Sequence, residues 1–320
     1  MKRLCRNILF MVLILFLLPG QVLAAEFLIP GGQIIGLQLQ NDTVTIAAFD
    51  DILGTAARES GLKIGDEILS VNGIPVACAD DVRDSLQDNP VTLTILRNGK
   101  EKSLQITPRP TPEGPRLGIH LKQGISGIGT VTWYDPGTGY FGTLGHGVSD
   151  SGGKLLAMTR GNAYTAEVVS AKKGVRGAPG LLKGNAEAMF PCGELLRNTP
   201  QGVFGISNQG WPGTALPTAD YDEILTGPAV IRSTVEGSTV REYSVEILKI
   251  YPEDHPDGRN FLLRVTDPDL LRTTGGIVQG MSGSPILQNG RIVGAVTHVL
   301  VNSPDTGYGI FIENMLDAAS

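Results

Sequence analysis

The stretch VQGMSGSPILQNGRIVGAVTHV, residues 278–299, sets two serines among glycines and follows them at once with an apolar hairpin. Gly280 and Gly283 flank Ser282 and let the backbone turn sharply around it. In such a turn the N–H groups of Gly280 and Ser282 can point at one spot, the arrangement that holds a developing oxyanion beside a serine nucleophile. Ser284 is the competing nucleophile, but Pro285 follows it directly and restricts its backbone. Beyond the turn come a strand, an Asn289-Gly290 pair suited to a type I′ turn, and a second strand. Glycine–serine turns are common, so the rest of the chain must supply a base, an orienting acid and a compartment.

The base has to come from four histidines. His120 lies beside a proline-rich stretch and His255 in the polar YPEDHPDG, both read as surface positions. His298 sits in the strand after the hairpin, as a core or groove residue. His146, in YFGTLGHGVSD, stands where a strand runs into a glycine-flanked histidine, which exposes an imidazole at a strand end. A base on one barrel facing a nucleophile on another fits His146. Spacing leaves the acid open among Asp150, Asp220, Asp222, Asp267 and Asp269.

Composition sets the frame. At 320 residues the chain is long enough for two domains, and 41% hydrophobic with 18% charged residues describes an ordinary globular protein. Forty-two glycines and 20 prolines point to many turns between short strands. A net charge of −6 with no basic stripe excludes nucleic acid as a partner. The N-terminus has Lys2, Arg3 and Arg6, then an apolar run from Ile8 to Leu18, then VLAA, the form of a secretory signal over residues 1–24 cleaved after Ala24. Its three basic residues removed, the mature charge is −9. Cys78 and Cys192 fall in different predicted domains, which argues against a disulfide. No Cys, His and carboxylate cluster has metal-ligand spacing, so no metal or other cofactor is expected.

TPRPTPEGPR, residues 107–116, has four prolines in ten positions and reads as an extended linker, placed at 109–117. Before it, IIGLQL and SGLKIGDEILSVNGIPV, a short helix from Asp80 and a hairpin around Asn98-Gly99 resemble a PDZ domain over 32–108. That resemblance implies a peptide groove with Ile35, Gly36 and Leu37 offering backbone N–H groups to a terminal carboxylate. After the linker, strand-like segments recur at short intervals with little helical patterning until IENMLDAAS, which suggests a β-barrel or pair of barrels over 118–320. The fold expected is thus mainly β: an N-terminal α+β PDZ domain followed by a chymotrypsin-like double β-barrel.

Three stretches, GIGTVTWYDPGTGYFGTLGHGVSD (127–150), GPAVIRSTVEG (227–237) and the run from Val265 to Leu316, resemble the peptidase domain of the stage IV sporulation protein B family of spore-forming bacteria. The order signal, PDZ, peptidase matches as well. The resemblance implies a serine endopeptidase whose histidine is His146, aspartate Asp267 and serine Ser282, with Gly280 and Ser282 as the oxyanion hole. It also implies an exported enzyme in the space between the membranes around the forespore. There it would cut the extracytoplasmic part of a membrane-bound regulator, its substrate and PDZ ligand. That cut would release an intramembrane protease that activates a late mother-cell sigma factor. Self-cleavage, and self-association through it, are implied too. Two other expectations stand beside this one: a catalytically silent PDZ scaffold, and a housekeeping protease of broad specificity.

Overall fold

The computed structural model describes residues 27–87, 90–150, 153–186, 189–251 and 258–320. The signal expected at 1–24 and His255 lie outside the described residues.

The chain enters through β1 (Phe27–Pro30) and the long β2 (Ile34–Phe49). Helix α1 (Thr55–Glu59), β3 (Glu67–Val71), β4 (Ile74–Pro75), α2 (Ala79–Asp84), β5 (Val91–Arg97) and β6 (Lys100–Ile106) follow. Then come a second long strand, β7 (Ile119–Tyr134), and β8 (Tyr140–Thr143), β9 (Arg160–Lys172), β10 (Leu181–Ala186), β11 (Gly193–Thr199), β12 (Gly202–Ser207) and β13 (Leu216–Pro217). The remainder is β14 (Gly227–Ser233), β15 (Arg241–Ile250), β16 (Phe261–Val265), helix α3 (Pro268–Thr274), β17 (Pro285–Gln288), β18 (Arg291–Leu300), β19 (Ser303–Phe311) and helix α4 (Ile312–Ala319).

These strands close two barrels. In the first, β2 pairs with β7, β7 with β8, β8 with β12, β12 with β11, β11 with β9 and β9 again with β2. The second runs β14-β15-β16-β19-β18-β17 and closes on itself. Closure removes the exposed sheet edges that short antiparallel strands would otherwise present. The alternation that forms them is plain in β14 and β15, where every second side chain is buried from Ala229 to Ser233 and from Tyr243 to Ile247. Trp133 and Phe204 of the first barrel meet Ile292 and Ala295 of the second under Ile312 and Met315 of α4, so the last helix staples the two together.

Two expectations are corrected here. The PDZ body does not precede the peptidase as a separate bead; it is inserted into the first barrel. The first half of β2 and the second half of β7 belong to the barrel, while Val44–Phe49 pairs with Ile119–Gln123 inside the insert. The switch falls at a bulge between Leu39 and Val44, opposite Gly124 (φ +78), where an added Cβ would lie 1.9 Å from the carbonyl oxygen of Leu39. The insert has its own core, with Val44, Ile46, Ile68, Leu93 and Ile95 at its centre.

The proline-rich stretch is not an extended linker either. Arg109 and Arg116 pair across a hairpin closed by the Thr111–Gly114 turn. Proline fits there because it fixes φ in the range a turn requires. The three Asn-Gly pairs do form type I′ turns, with φ positive at both residues of 72–73, 98–99 and 289–290. Cys78 and Cys192 are both unpaired.

Candidate active site

The loop carrying Ser282 is held by the first barrel. Thr130 on β7 donates its hydroxyl to the carbonyl of Gly280 (2.8 Å) and its N–H to the carbonyl of Ser282 (3.0 Å). Thr132 donates its hydroxyl to the carbonyl of Gly283 (2.8 Å). Within the turn, the N–H groups of Met281, Gly283 and Ser284 are taken by the carbonyls of Val278, Val296 and Met281. The N–H groups of Gly280 and Ser282 donate to nothing among the described residues. The two donors named from the sequence are therefore the two left available for an oxyanion. Thr130→Val removes one clamp and leaves the Gly280 carbonyl unsatisfied, at a cost of about 1–3 kcal/mol. A drop in kcat of roughly tenfold or more with KM little changed is expected if the clamp aims the hole; steady-state kinetics on a peptide substrate checks it.

Ser282 is half-buried and lines a cleft, where its hydroxyl donates to the carbonyl of Thr297 (2.7 Å). Ser284 is fully buried and donates its hydroxyl to that of Ser233 (3.0 Å). Of these two serines, Ser282 is the one that lines the cleft.

His146 lines the same cleft. After β8 the chain passes through two left-handed residues, Leu144 (φ +70) and Gly145 (φ +66), before delivering the imidazole. That conformation costs a leucine about 1 kcal/mol or more. Glycine is needed next because an added Cβ at 145 would stand 2.9 Å from the Thr297 side chain. The His146 ring then lies beside that of His298, with centroids 5.0 Å apart and planes at 39°. His146 Nδ1 is 2.9 Å from the Gly147 carbonyl oxygen. A carbonyl can only accept, so Nδ1 carries the proton and Nε2 keeps the lone pair a general base needs. Burial pushes the imidazole below the ordinary histidine range, and the Gly147 carbonyl partly offsets this.

Asp267 is placed otherwise than the resemblance implies. It is the N-cap of α3, and its carboxylate accepts from the N–H groups of Asp269 and Leu270 (both 3.0 Å) and, at 3.4 Å, from that of Ser244. No hydrogen bond joins it to His146, and it does not line the cleft. The Gly147 carbonyl takes the position at Nδ1 that an acid would fill. Asp267 acts one step back, fixing the start of the helix whose C-cap, Gly275, leads into the Ser282 loop. Asp267→Ala should cost about 1 kcal/mol of stability. Serine or asparagine, which cap as well, should restore both stability and activity; recovered stability without recovered activity would instead assign the carboxylate to the chemistry.

The residues expected to hold a peptide carboxylate are also displaced. Ile35 and Leu37 are 2% and 4% exposed, and Ile35–Leu37 pairs with Ala163–Thr165 on one side and Gly127–Gly129 on the other. A strand bonded on both edges has no backbone to offer a ligand. The groove of the insert, about 680 Å³, lies instead between Val82 and Leu86 beside α2 and Leu117–Leu121. Among the described residues Ile119–Gln123 pairs on one edge only. Gly118 (φ +66) has no room for a Cβ, which would sit 2.2 Å from the Leu53 carbonyl carbon. The signal was RLGIHL, directly after the prolines, with the same apolar-Gly-apolar form as IIGLQL.

The family model for SpoIVB peptidase S55 matches residues 113–316, and one for the PDZ domain matches 52–97. The chain belongs to the SpoIVB peptidase S55 family. This SpoIVB-family protein carries a PDZ domain, and its two closed barrels make the peptidase fold chymotrypsin-like. It is similar to a Rhizobium meliloti (strain 1021) protein named as a zinc metalloprotease, 33% identical over 118 residues, 36% of this chain and 29% of that one. It is also similar to serine protease HTRA4 of Mus musculus, 36% identical over 64 residues, 20% of this chain and 13% of that one. The SpoIVB-family chain thus spans less than a third of these curated relatives. Among solved structures, the Rv3671c protease in its inactive form aligns at TM-score 0.35 and 14% identity, covering 60% of this chain and 84% of that one. The HtrA-type protease AlgW with decapeptide aligns at 0.36 and 14%, covering 65% and 57%.

Proposed function

We propose that Ser282 attacks a peptide carbonyl while His146 Nε2 takes its proton, with the N–H groups of Gly280 and Ser282 receiving the oxyanion. The observation that carries this is the bonding of the 280–284 turn, in which the two N–H groups without an acceptor are that of the cleft-lining Ser282 itself and that of Gly280, two residues before it. To react, the Ser282 hydroxyl turns from the Thr297 carbonyl toward the imidazole. Its release frees that carbonyl to accept an N–H from a substrate strand lying along β18.

Family membership and the basic and apolar N-terminus support a finer reading. The enzyme is exported to the space around the forespore and cuts itself and the extracytoplasmic part of a membrane-bound regulator. That regulator also occupies the PDZ groove, and its cleavage leads to activation of a late mother-cell sigma factor by an intramembrane protease. The test is to incubate the full chain with the extracytoplasmic part of such a regulator and with unfolded casein, and to map products by mass. A few discrete cuts in the regulator and in the enzyme, absent with Ser282→Ala, are expected; general degradation of casein would favour a housekeeping role.

The depressed basicity of His146 sets the pH dependence. The imidazole is neutral at pH 7, so kcat/KM should be level there and fall on the acid side, below the ordinary histidine value near 6.5. The unfolded chain takes up this proton first. The stability from keeping His146 neutral is therefore present above the unfolded value and is lost as pH falls through the folded one. A pH–rate profile and parallel denaturation curves check both.

A further inference from the structure

The cavity beside Ser282, about 470 Å³, must receive the side chain of the residue whose carbonyl is attacked. Its lining includes Ile277 and Val278 just before the turn, Val299 and Val301 just after His298, and Pro179 from the loop before β10. Three separate stretches of chain thus bring aliphatic groups to one space. The ionisable groups that line it are the imidazoles of His146 and His298. No carboxylate, ammonium or guanidinium group lines it among the described residues, so a charged side chain entering it would lose water and gain no counter-charge. Gly276, six residues before Ser282, cannot supply one either: an added Cβ would lie 2.1 Å from the carbonyl oxygen of Pro304.

We propose that the enzyme selects an uncharged, aliphatic side chain, of the class of valine or leucine, immediately before the scissile bond. The selection arises twice over, from apolar contact with Val278 and Val299 and from exclusion of unpaired charge. It rests on the reading of Ser282 as the nucleophile, and the test separates the two. The full chain is treated with peptidyl diaryl phosphonates identical except for Leu, Val, Lys or Asp at the reacting residue, and the labelling rate and position are read by mass. The Leu and Val reagents should label Ser282 at least about 100-fold faster than the Lys and Asp reagents. Val299→Asp, and Val301→Asp at the exposed mouth of the cavity, should each raise the Lys rate relative to Leu by roughly tenfold. Thermal melts identify which variants fold. Fastest labelling by a charged reagent, or folded variants with an unchanged order, overturns the specificity alone. If folded wild-type protein is labelled by none of the four, or elsewhere than Ser282, the nucleophile assignment fails and the specificity falls with it.

Discussion

Ser282→Ala and His146→Ala are each expected to lose at least about 10⁴-fold in kcat, and the double variant should be no slower than either. The reason is geometric. The serine without a base is a weak nucleophile, and the base without the serine has nothing to activate, so the two act as one unit. What survives in all three comes from the N–H groups of Gly280 and Ser282, which neither substitution removes because both are backbone. Thr130 and Thr132 continue to hold the turn, and stability should change little at Ser282, whose one side-chain bond is to the Thr297 carbonyl. Single-turnover kinetics on the three variants would show the non-additivity directly; additive losses would mean that His146 and Ser282 serve different steps.

Gly283→Ala is expected to abolish activity by another route and to destabilise the protein by on the order of 3 kcal/mol. Gly283 has φ +94, and a Cβ there would stand 2.0 Å from the Thr130 carbonyl oxygen and 2.5 Å from the Leu144 nitrogen. Both obstacles are backbone, so neither yields by a change of rotamer. The substitution must push the nucleophile loop away from β7 or displace the turn that presents His146. Gly280→Ala meets only the Leu182 and Ile128 side chains, at 3.1 Å and beyond, and should be the milder change in stability. Equilibrium denaturation of the two variants tests the order. A stable, active Gly283→Ala protein would show that the loop is not clamped against the first barrel as described.

Much of this was legible in the chain itself, because local chemistry carried it. The glycines around Ser282, the Asn-Gly turns and the alternation of β14 and β15 each fix a local conformation that the folded protein retains. The glycine-flanked histidine at a strand end was readable for the same reason. What the sequence concealed is long-range. The first half of β2 and the start of β7 obey the same period of two, so nothing in their pattern says that one lies in a barrel and the other lines a groove. The insertion of the PDZ body is a fact of pairing across some eighty residues, which no local window contains.

Asp267 is a different case. DPDLL, with aspartate at the cap, proline at the first helical position and acid in the first turn, is a helix start by ordinary rules, and α3 follows from it. Its family resemblance drew attention to the carboxylate as an acid, while its local context states what the folded chain uses it for. The Gly147 carbonyl at Nδ1 of His146 left no side-chain signal at all, since a backbone group is not named by any residue type.

The most direct measurement is to react the folded full chain with a fluorophosphonate and locate the adduct by peptide mass. The account predicts one adduct, on Ser282, absent in Ser282→Ala and much slower to form in His146→Ala. An adduct on the buried Ser284, or one on Ser282 that forms as fast without His146, would contradict it.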